Sequence, residues 1–363
     1  MSRARRAAAV LLAVLAGCLA VPPPAGAAAG PRGAGSLPAA FLVSVSCPGQ
    51  ETCWAVGLTT TGRAHPVIDR WNGSAWASVP APVPRGAVAL WSVSCASPAF
   101  CWAVGSYGRP EERPFAEHWN GTRWSLALLP VVPGGASAIS DDVWCASTAS
   151  CWEVQENGPA GFEHWDGHAW AIVTAPAFRR HNVLDRVTCT SDRDCWVTGD
   201  DKAGTITGHW NGRAWSVVPT PTGHARGDQL LGISCLGRAC LAVGATDDPY
   251  RPLAEQWTGS SWQVTPMAVA NAELAGVSCP AARYCLAVGL RTNAGGRAFG
   301  ERWNGSRWRA VPVPVPPGTP SALLAAVDCI TTTDCWAVGS DKHGQVEPSL
   351  IEHWNGTAWS IAG

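Results

Sequence analysis

Apolar positions along this chain come in short bursts rather than long runs, and the bursts fall into a fixed order. The first is alternating and β-branched, as in Leu42-Val43-Ser44-Val45-Ser46, and it stops at Cys47. A second starts at the next cysteine, Cys53-Trp54-Ala55-Val56-Gly57, and a third runs into a tryptophan, as in Phe115-Ala116-Glu117-His118-Trp119. Such bursts, bounded by turn residues, predict short strands. An Asn-Gly or Asp-Gly pair follows the third burst in most copies, requires positive φ and predicts a tight hairpin into Ala75-Trp76 and its counterparts. The fourth burst ends in prolines, Val79-Pro80-Ala81-Pro82 or Val311-Pro312-Val313-Pro314, which cannot continue a ladder and mark an outer edge.

This four-strand unit recurs. It opens at Cys47, Cys95, Cys145, Cys189, Cys235, Cys279 and Cys329, with spacings of 48, 50, 44, 46, 44 and 50 residues. Self-similarity at that period fixes the architecture before any residue receives a role. Seven four-stranded antiparallel units predict an all-β fold, a seven-bladed β-propeller spanning 39–363. An open solenoid needs polar caps on its terminal repeats, and here the first copy (Cys47 to Trp76) and the last (Cys329 to Trp359) both carry the full pattern. The ring is therefore expected to close by face packing between blades 1 and 7, with no strand exchanged.

Upstream of the ring, Met1 to Arg6 carries three arginines, Ala7 to Val21 is apolar, and Ala25-Gly26-Ala27 is a small-x-small cleavage site. Residues 1–27 read as a secretory signal and 28–38 as a flexible linker. The apolar run is too short for a membrane span, so no transmembrane helix is expected in the mature chain. Leu15-Ala16-Gly17-Cys18 also resembles a bacterial lipobox, which makes Cys18 a lipidation candidate; either processing route places the product outside the cell.

Cysteine usage agrees with that compartment. Apart from Cys18, every unit holds two cysteines. They are expected to form one disulfide per blade: Cys47–Cys53, Cys95–Cys101, Cys145–Cys151, Cys189–Cys195, Cys235–Cys240, Cys279–Cys285 and Cys329–Cys335. No convergent C-x2-C clusters exist, so no metal is expected, and no cofactor either. Charged residues are only 15% and the formal net charge is −1, which supports neither a nucleic-acid face nor a polybasic membrane patch. Of 21 tryptophans, 19 occupy repeated positions and read as framework.

With their S-V-S-C-x5-C-x-A-V-G and W-N-G-x-x-W signatures, the repeats resemble the secreted propellers of actinobacteria, similar in style to BNR, kelch and sialidase blades. The resemblance covers Phe41 to Gly363 and implies the fold and an extracellular setting; it implies no single activity.

Strand direction alternates, so the disulfide hairpins and the W-N-G turns share one rim, while second-to-third loops and blade-to-blade connections share the other. The second rim is variable and charged, and loops on a rigid scaffold are where binding concentrates. Ligand-binding candidates there are Arg63, Arg109, Glu112, Asp201, Asp248, Tyr250, Arg251, Arg297 and His343. Acids two before the repeated Trp (Asp69, Glu117, Glu163, Glu255, Glu301, Glu352) recur too often to be catalytic and are expected to bond a neighbouring backbone group or an arginine. The histidines at 118, 164, 209 and 353 lie on separate blades and cannot meet at one metal.

A sialidase would need an arginine triad, a tyrosine nucleophile with a Glu partner and an acid Asp. The tyrosines at 107, 250 and 284 lie in no such string, the S-x-D-x-G-x-x-W box is missing, and no G-x-S-x-G elbow exists. No catalytic residue is assigned. Asn-Gly-Ser/Thr at Asn72, Asn120, Asn304 and Asn355 reads as turn chemistry, because Asn211-Gly212-Arg213 occupies the same hairpin without a glycosylation sequon. The expected function is a secreted, monomeric, non-enzymatic binding module for an extracellular glycan or protein ligand. A glycoside-active enzyme and a structural cell-surface spacer stand as alternatives.

Overall fold

The computed structural model describes residues 37–108, 112–130, 139–156, 161–175, 178, 183–201, 203–221, 227–247, 250–292, 295–342 and 347–362. Twenty-eight strands form seven four-stranded antiparallel sheets, each built from four consecutive strands in chain order. Blade 1 comprises Ala40–Gly49, Thr52–Thr59, Pro66–Trp71 and Trp76–Ser78; blade 7 comprises Ser321–Thr331, Asp334–Lys342, Ser349–Trp354 and Trp359–Ile361. The fold is the seven-bladed propeller, with no helix among the described residues.

Each repeated residue has a physical task. The first strand carries an extra residue just after its core leucine, so the pairing skips from Leu42↔Gly57 to Ser44↔Val56, and the same slip recurs at Leu90/Ser92, Leu184/Arg186 and Leu324/Ala326. A bulge of this kind turns its extra side chain out of the sheet's alternation. Where the opposing residue is glycine, it makes room for a carbonyl: a Cβ on Gly57 would stand 2.0 Å from the Phe41 carbonyl oxygen, and one on Gly339 1.9 Å from that of Leu323, whereas blade 3 carries Gln155 there. The W-N-G glycines hold φ between 87° and 95°, as the hairpin turn requires.

All seven cysteine pairs are bonded within their own blades, at Cα separations of 3.9 to 4.1 Å. Each joins neighbouring antiparallel strands across a short hairpin.

Blades adhere through two devices. In five blades the second-strand tryptophan inserts between the two outer tryptophans of the next blade: Trp54 lies 4.7 Å from Trp119 and 5.0 Å from Trp124, and Trp196 lies 4.7 Å from Trp257 and 5.4 Å from Trp262, while Leu241 and Leu286 stand at that place in blades 5 and 6. At five joints the residue before the first cysteine accepts the N–H of the next blade's first cysteine, whereas Trp144 of blade 3 donates its indole N–H to the Cys189 carbonyl. Ser46 accepts from Cys95 at 3.1 Å, Ser94 from Cys145 at 2.9 Å, Ser234 from Cys279 at 3.0 Å and Ser278 from Cys329 at 3.0 Å.

The same devices close the ring. Trp336 of blade 7 packs 4.7 Å from Trp71 of blade 1, and the Cys47 N–H donates to Asp328 at 2.7 Å. Thr60 adds a bond to the Glu347 carbonyl at 2.8 Å, and Ser349 one to the Ala40 carbonyl at 3.2 Å. Closure uses face packing, and no strand crosses between the terminal sheets. Leu37 already packs against this joint, so the chain is seated on the ring from there onward.

Candidate functional site

The bulged residues and those at the start of the first strands meet at the ring's centre, which is divided. On blades 7, 1, 2 and 3 it is a closed apolar cluster of Ala325, Phe41, Val43, Ala89, Trp91 and Ile139. On blades 3 and 4 the bulged position is acidic, with Asp141 at 2% and Asp185 at 0% exposure. Next to them Asp142 accepts bonds from Arg186 Nη1 at 3.0 Å, the Val187 N–H at 2.9 Å and the Ser92 hydroxyl at 2.7 Å. These residues were visible in the sequence only as a departure: Ser140-Asp141-Asp142 and Asp185-Arg186 stand where blades 1 and 2 have apolar residues and serine.

The variable rim spreads its candidates over several blades. Arg63 is exposed on blade 1, Glu112 is half-buried on blade 2, and Asp201 on blade 4 uses its carboxylate to cap its own turn, accepting the N–H groups of Ala203 and Gly204. Arg109, Asp248 and His343 lie outside the described residues, as does Cys18. Blades 5 and 6 are different. Half-buried Tyr250 reaches out of the blade 5 loop and donates its hydroxyl to the Glu273 carboxylate at the start of blade 6. Burial, then the negative charge of Glu273, pushes the Tyr250 hydroxyl well above the usual phenol range, so it remains a donor. Exposed Arg251 adjoins it, and exposed Arg297 stands directly opposite Arg291, whose guanidinium lies 6.0 Å over Phe299. The carboxylates of Glu273, Asp247 and Asp228 stand at the same corner, so it carries charge of both signs.

The repeated acids are buried to 0% exposure, out of reach of any substrate. Their partners differ from the expected backbone-or-arginine pattern. Glu301 does accept two backbone N–H groups, from Ala268 at 3.2 Å and Val269 at 3.1 Å, but Asp69 accepts from the Ser78 hydroxyl and Glu163 from the Gln155 amide at 2.7 Å. Glu117 and Glu352 have no hydrogen-bond partner on either oxygen, and burial raises each to about 8. They are neutral acids at pH 7. In blade 4 the position is Gly208, where a Cβ would meet the Phe178 ring at 2.3 Å: an aromatic side chain fills the space of the missing carboxyl.

The strand histidines are likewise structural. His118, His164, His209 and His353 stack on Trp102, Trp152, Trp196 and Trp336 of their own blades, at 4.5 to 4.6 Å. Burial depresses His118 and His164, which favours the uncharged ring. The sequon asparagines act in their turns. Asn72, Asn120, Asn304 and Asn355 each accept backbone N–H groups two and three residues on, as does Asn211, which has no sequon.

No family model matches the chain, and no curated protein matches it by sequence. Solved propellers are similar in fold. YCF48 bound to D1 peptide shares 13% identity at a TM-score of 0.58, covering 88% of this chain and 95% of its own. The SapL1 lectin in complex with alpha methyl fucoside shares 14% at 0.55, covering 78% and 98%. A GH74 xyloglucanase from Xanthomonas campestris shares 13% at 0.62, covering 91% of this chain and 55% of the enzyme. At these identities the likeness establishes the architecture alone.

Proposed function

We propose that this ring is a secreted, non-enzymatic binding module that holds an extracellular glycan or protein ligand on its variable rim. The observation that carries the reading is the Tyr250–Glu273 bond, which fixes one loop of blade 5 over blade 6 beside exposed Arg251 and Arg297. A rigid scaffold presenting a pre-ordered loop among unlike neighbours is suited to recognition, because little ordering entropy is lost on binding. Similar propellers have been captured with a peptide and with a methyl fucoside, so both ligand classes suit the architecture. The resemblance to secreted actinobacterial propellers, the signal at 1–27 and the seven disulfides support an extracellular setting, with cleavage after Ala27 or lipidation at Cys18 as the processing routes. Mass spectrometry of the mature N-terminus distinguishes them.

The test is a triple variant, Tyr250→Phe with Arg251→Ala and Arg297→Ala, compared with the unmodified ring on a glycan array and in a cell-wall pull-down. Loss of binding with an unchanged melting temperature supports the reading, and unchanged binding removes this corner from it. The enzyme alternative rests on the resemblance to sialidase blades. Turnover of any fluorogenic glycoside that a single acidic substitution abolishes would replace a binding role with catalysis.

A further inference from the structure

The rim of disulfide hairpins repeats in sequence, yet one joint on it is built differently from the other six. At five joints an indole from the second strand (Trp54, Trp102, Trp152, Trp196, Trp336) wedges against the outer tryptophan pair of the next blade. Between blades 6 and 7 the wedge is Leu286, and the ring of Tyr284 packs into the same cluster, its hydroxyl accepting from Trp354 Nε1 at 2.8 Å. Between blades 5 and 6 the wedge is Leu241 and the residue at the place of Tyr284 is Ala239, so among the described residues no aromatic ring of blade 5 packs on the receiving pair Trp303 and Trp308, which cluster with Phe299 of their own blade. A crevice results. It is a shallow notch whose walls include Leu236, Ala239, Leu241, Ala282 and Trp303 together with Ser234 and Gln256, and Leu236 stands 41% exposed at the lip.

A second observation lies beside it. Arg238 and Arg283 occupy the tips of the two hairpins that border the crevice, each next in sequence to a wall residue, and both are exposed. Exposed Arg307 adds to the charge in the blade 6 turn between Trp303 and Trp308, with Arg283 folded over the Asn304–Gly305 part of that turn. None of these guanidiniums forms an ion pair among the described residues. The acids nearest in sequence do not offset them: Glu255 and Glu301 are fully buried, while Asp247 and Glu273 belong to the opposite rim. On a chain of net charge −1, three arginines without an ion pair among the described residues, beside a largely apolar notch, form a local positive field of the kind that attracts and orients an anionic partner.

We infer that this joint is a docking site for an acidic peptide segment that presents an aromatic side chain. The ring of the partner lies in the mouth of the crevice against Leu236 and Trp303, the contact that the other joints make internally. Its flanking carboxylates meet Arg238 and Arg283, whose fork geometry accepts them two oxygens at a time. A sulfated or uronic polysaccharide would satisfy the arginines and leave the crevice unused. The site is independent of the variable rim, so the triple variant above leaves it intact.

The experiment is fluorescence anisotropy of the full ring with labelled Glu-Asp-Trp-Asp-Glu and with the same peptide carrying Ala for Trp, heparin serving as competitor. The Trp peptide should bind about tenfold more tightly than the Ala peptide, as burial of one aromatic ring allows. Arg238→Ser with Arg283→Ser should weaken it about fivefold, because exposed ion pairs are individually modest. Leu241→Trp restores the residue found in five other blades and should erase the preference for Trp; if that variant does not fold, Leu236→Ser tests the same wall. Equal binding of the two peptides, heparin displacing the Trp peptide while binding more tightly itself, or indifference to both sets of substitutions would overturn the assignment.

Discussion

The joints between blades 1 and 2 and between blades 2 and 3 are the same design with opposite contents. At the first, a single buried acid, Glu117, pairs with Ala103 beside Leu90 and Gly105, Arg70 lies 5.3 Å over Trp54, and Ser44 and Ser46 accept the Val93 and Cys95 N–H groups across the joint. At the second, Ser140, Glu153, Gln155 and Glu163 occupy the equivalent positions, with Glu153 directly opposite Glu163. Burial, reinforced by the charge of Glu163, holds Glu153 well above the usual carboxylate range, and burial raises Glu163 to about 8. One joint tolerates a lone neutral acid. The other has a second, and the Gln155 amide, which bonds Glu163 and the Pro130 carbonyl, ties the polar cluster into both blades. The indole wedge fixes the geometry of a joint, and the strand positions beside it are free to change chemistry.

Removing the wedge should have the largest effect. Trp54→Ala empties a fully buried site between Trp119 and Trp124 and should cost about 3–5 kcal/mol in chemical denaturation. Breaking one hairpin bridge comes next: Cys95→Ala with Cys101→Ala should lower stability by about 2 kcal/mol, and the blade 3 pair Cys145 and Cys151 by a similar amount, since the loops are equal in length.

Both joints respond to pH. Glu117, Glu163 and Glu352 titrate at about 8 in the fold against 4.5 when unfolded, and Asp69 at about 6 against 3.8. The folded ring therefore holds these protons longer than the unfolded chain. These groups cost nothing below about pH 4, and their penalty grows as pH rises and levels off above about 8. The melting temperature should fall between pH 5 and pH 9. Glu117→Gln should flatten that fall, and Glu163→Gln should flatten it by a similar amount, since burial raises both to about 8. A melting temperature that rose over this range would reverse the assignment of neutral acids. The smallest effect belongs to Arg70→Ala, which removes a cation from the faces of Trp54 and Trp119 and should cost about 1 kcal/mol.

Periodicity carried the architecture because every blade spells the same four strands, and the cysteine pairing followed from the short separation within each unit. The serine of S-x-C was legible only as a pattern: Ser46 acts on the Cys95 N–H, a partner 49 residues away in the next blade. The glycine of A-V-G was equally opaque, because its task is to make room for a carbonyl oxygen of the neighbouring strand. The variable rim was identified from strand direction. That reasoning cannot tell which loop residues turn inward, so Asp201 was a candidate although it caps its own turn, while Glu273, which anchors Tyr250, reads in sequence as an ordinary strand residue. The arginines at 238 and 283 stood on a rim that looked constant, and only the crevice between them separates that joint from the rest.

The central claim is a closed ring of self-contained blades, each carrying its own bridge. Digestion without reduction, followed by mass spectrometry of the linked peptides, tests it directly. The account predicts the seven pairs from Cys47–Cys53 to Cys329–Cys335 and no others among those cysteines. A peptide linking cysteines of two different blades, or a free thiol at any of these positions, would contradict it.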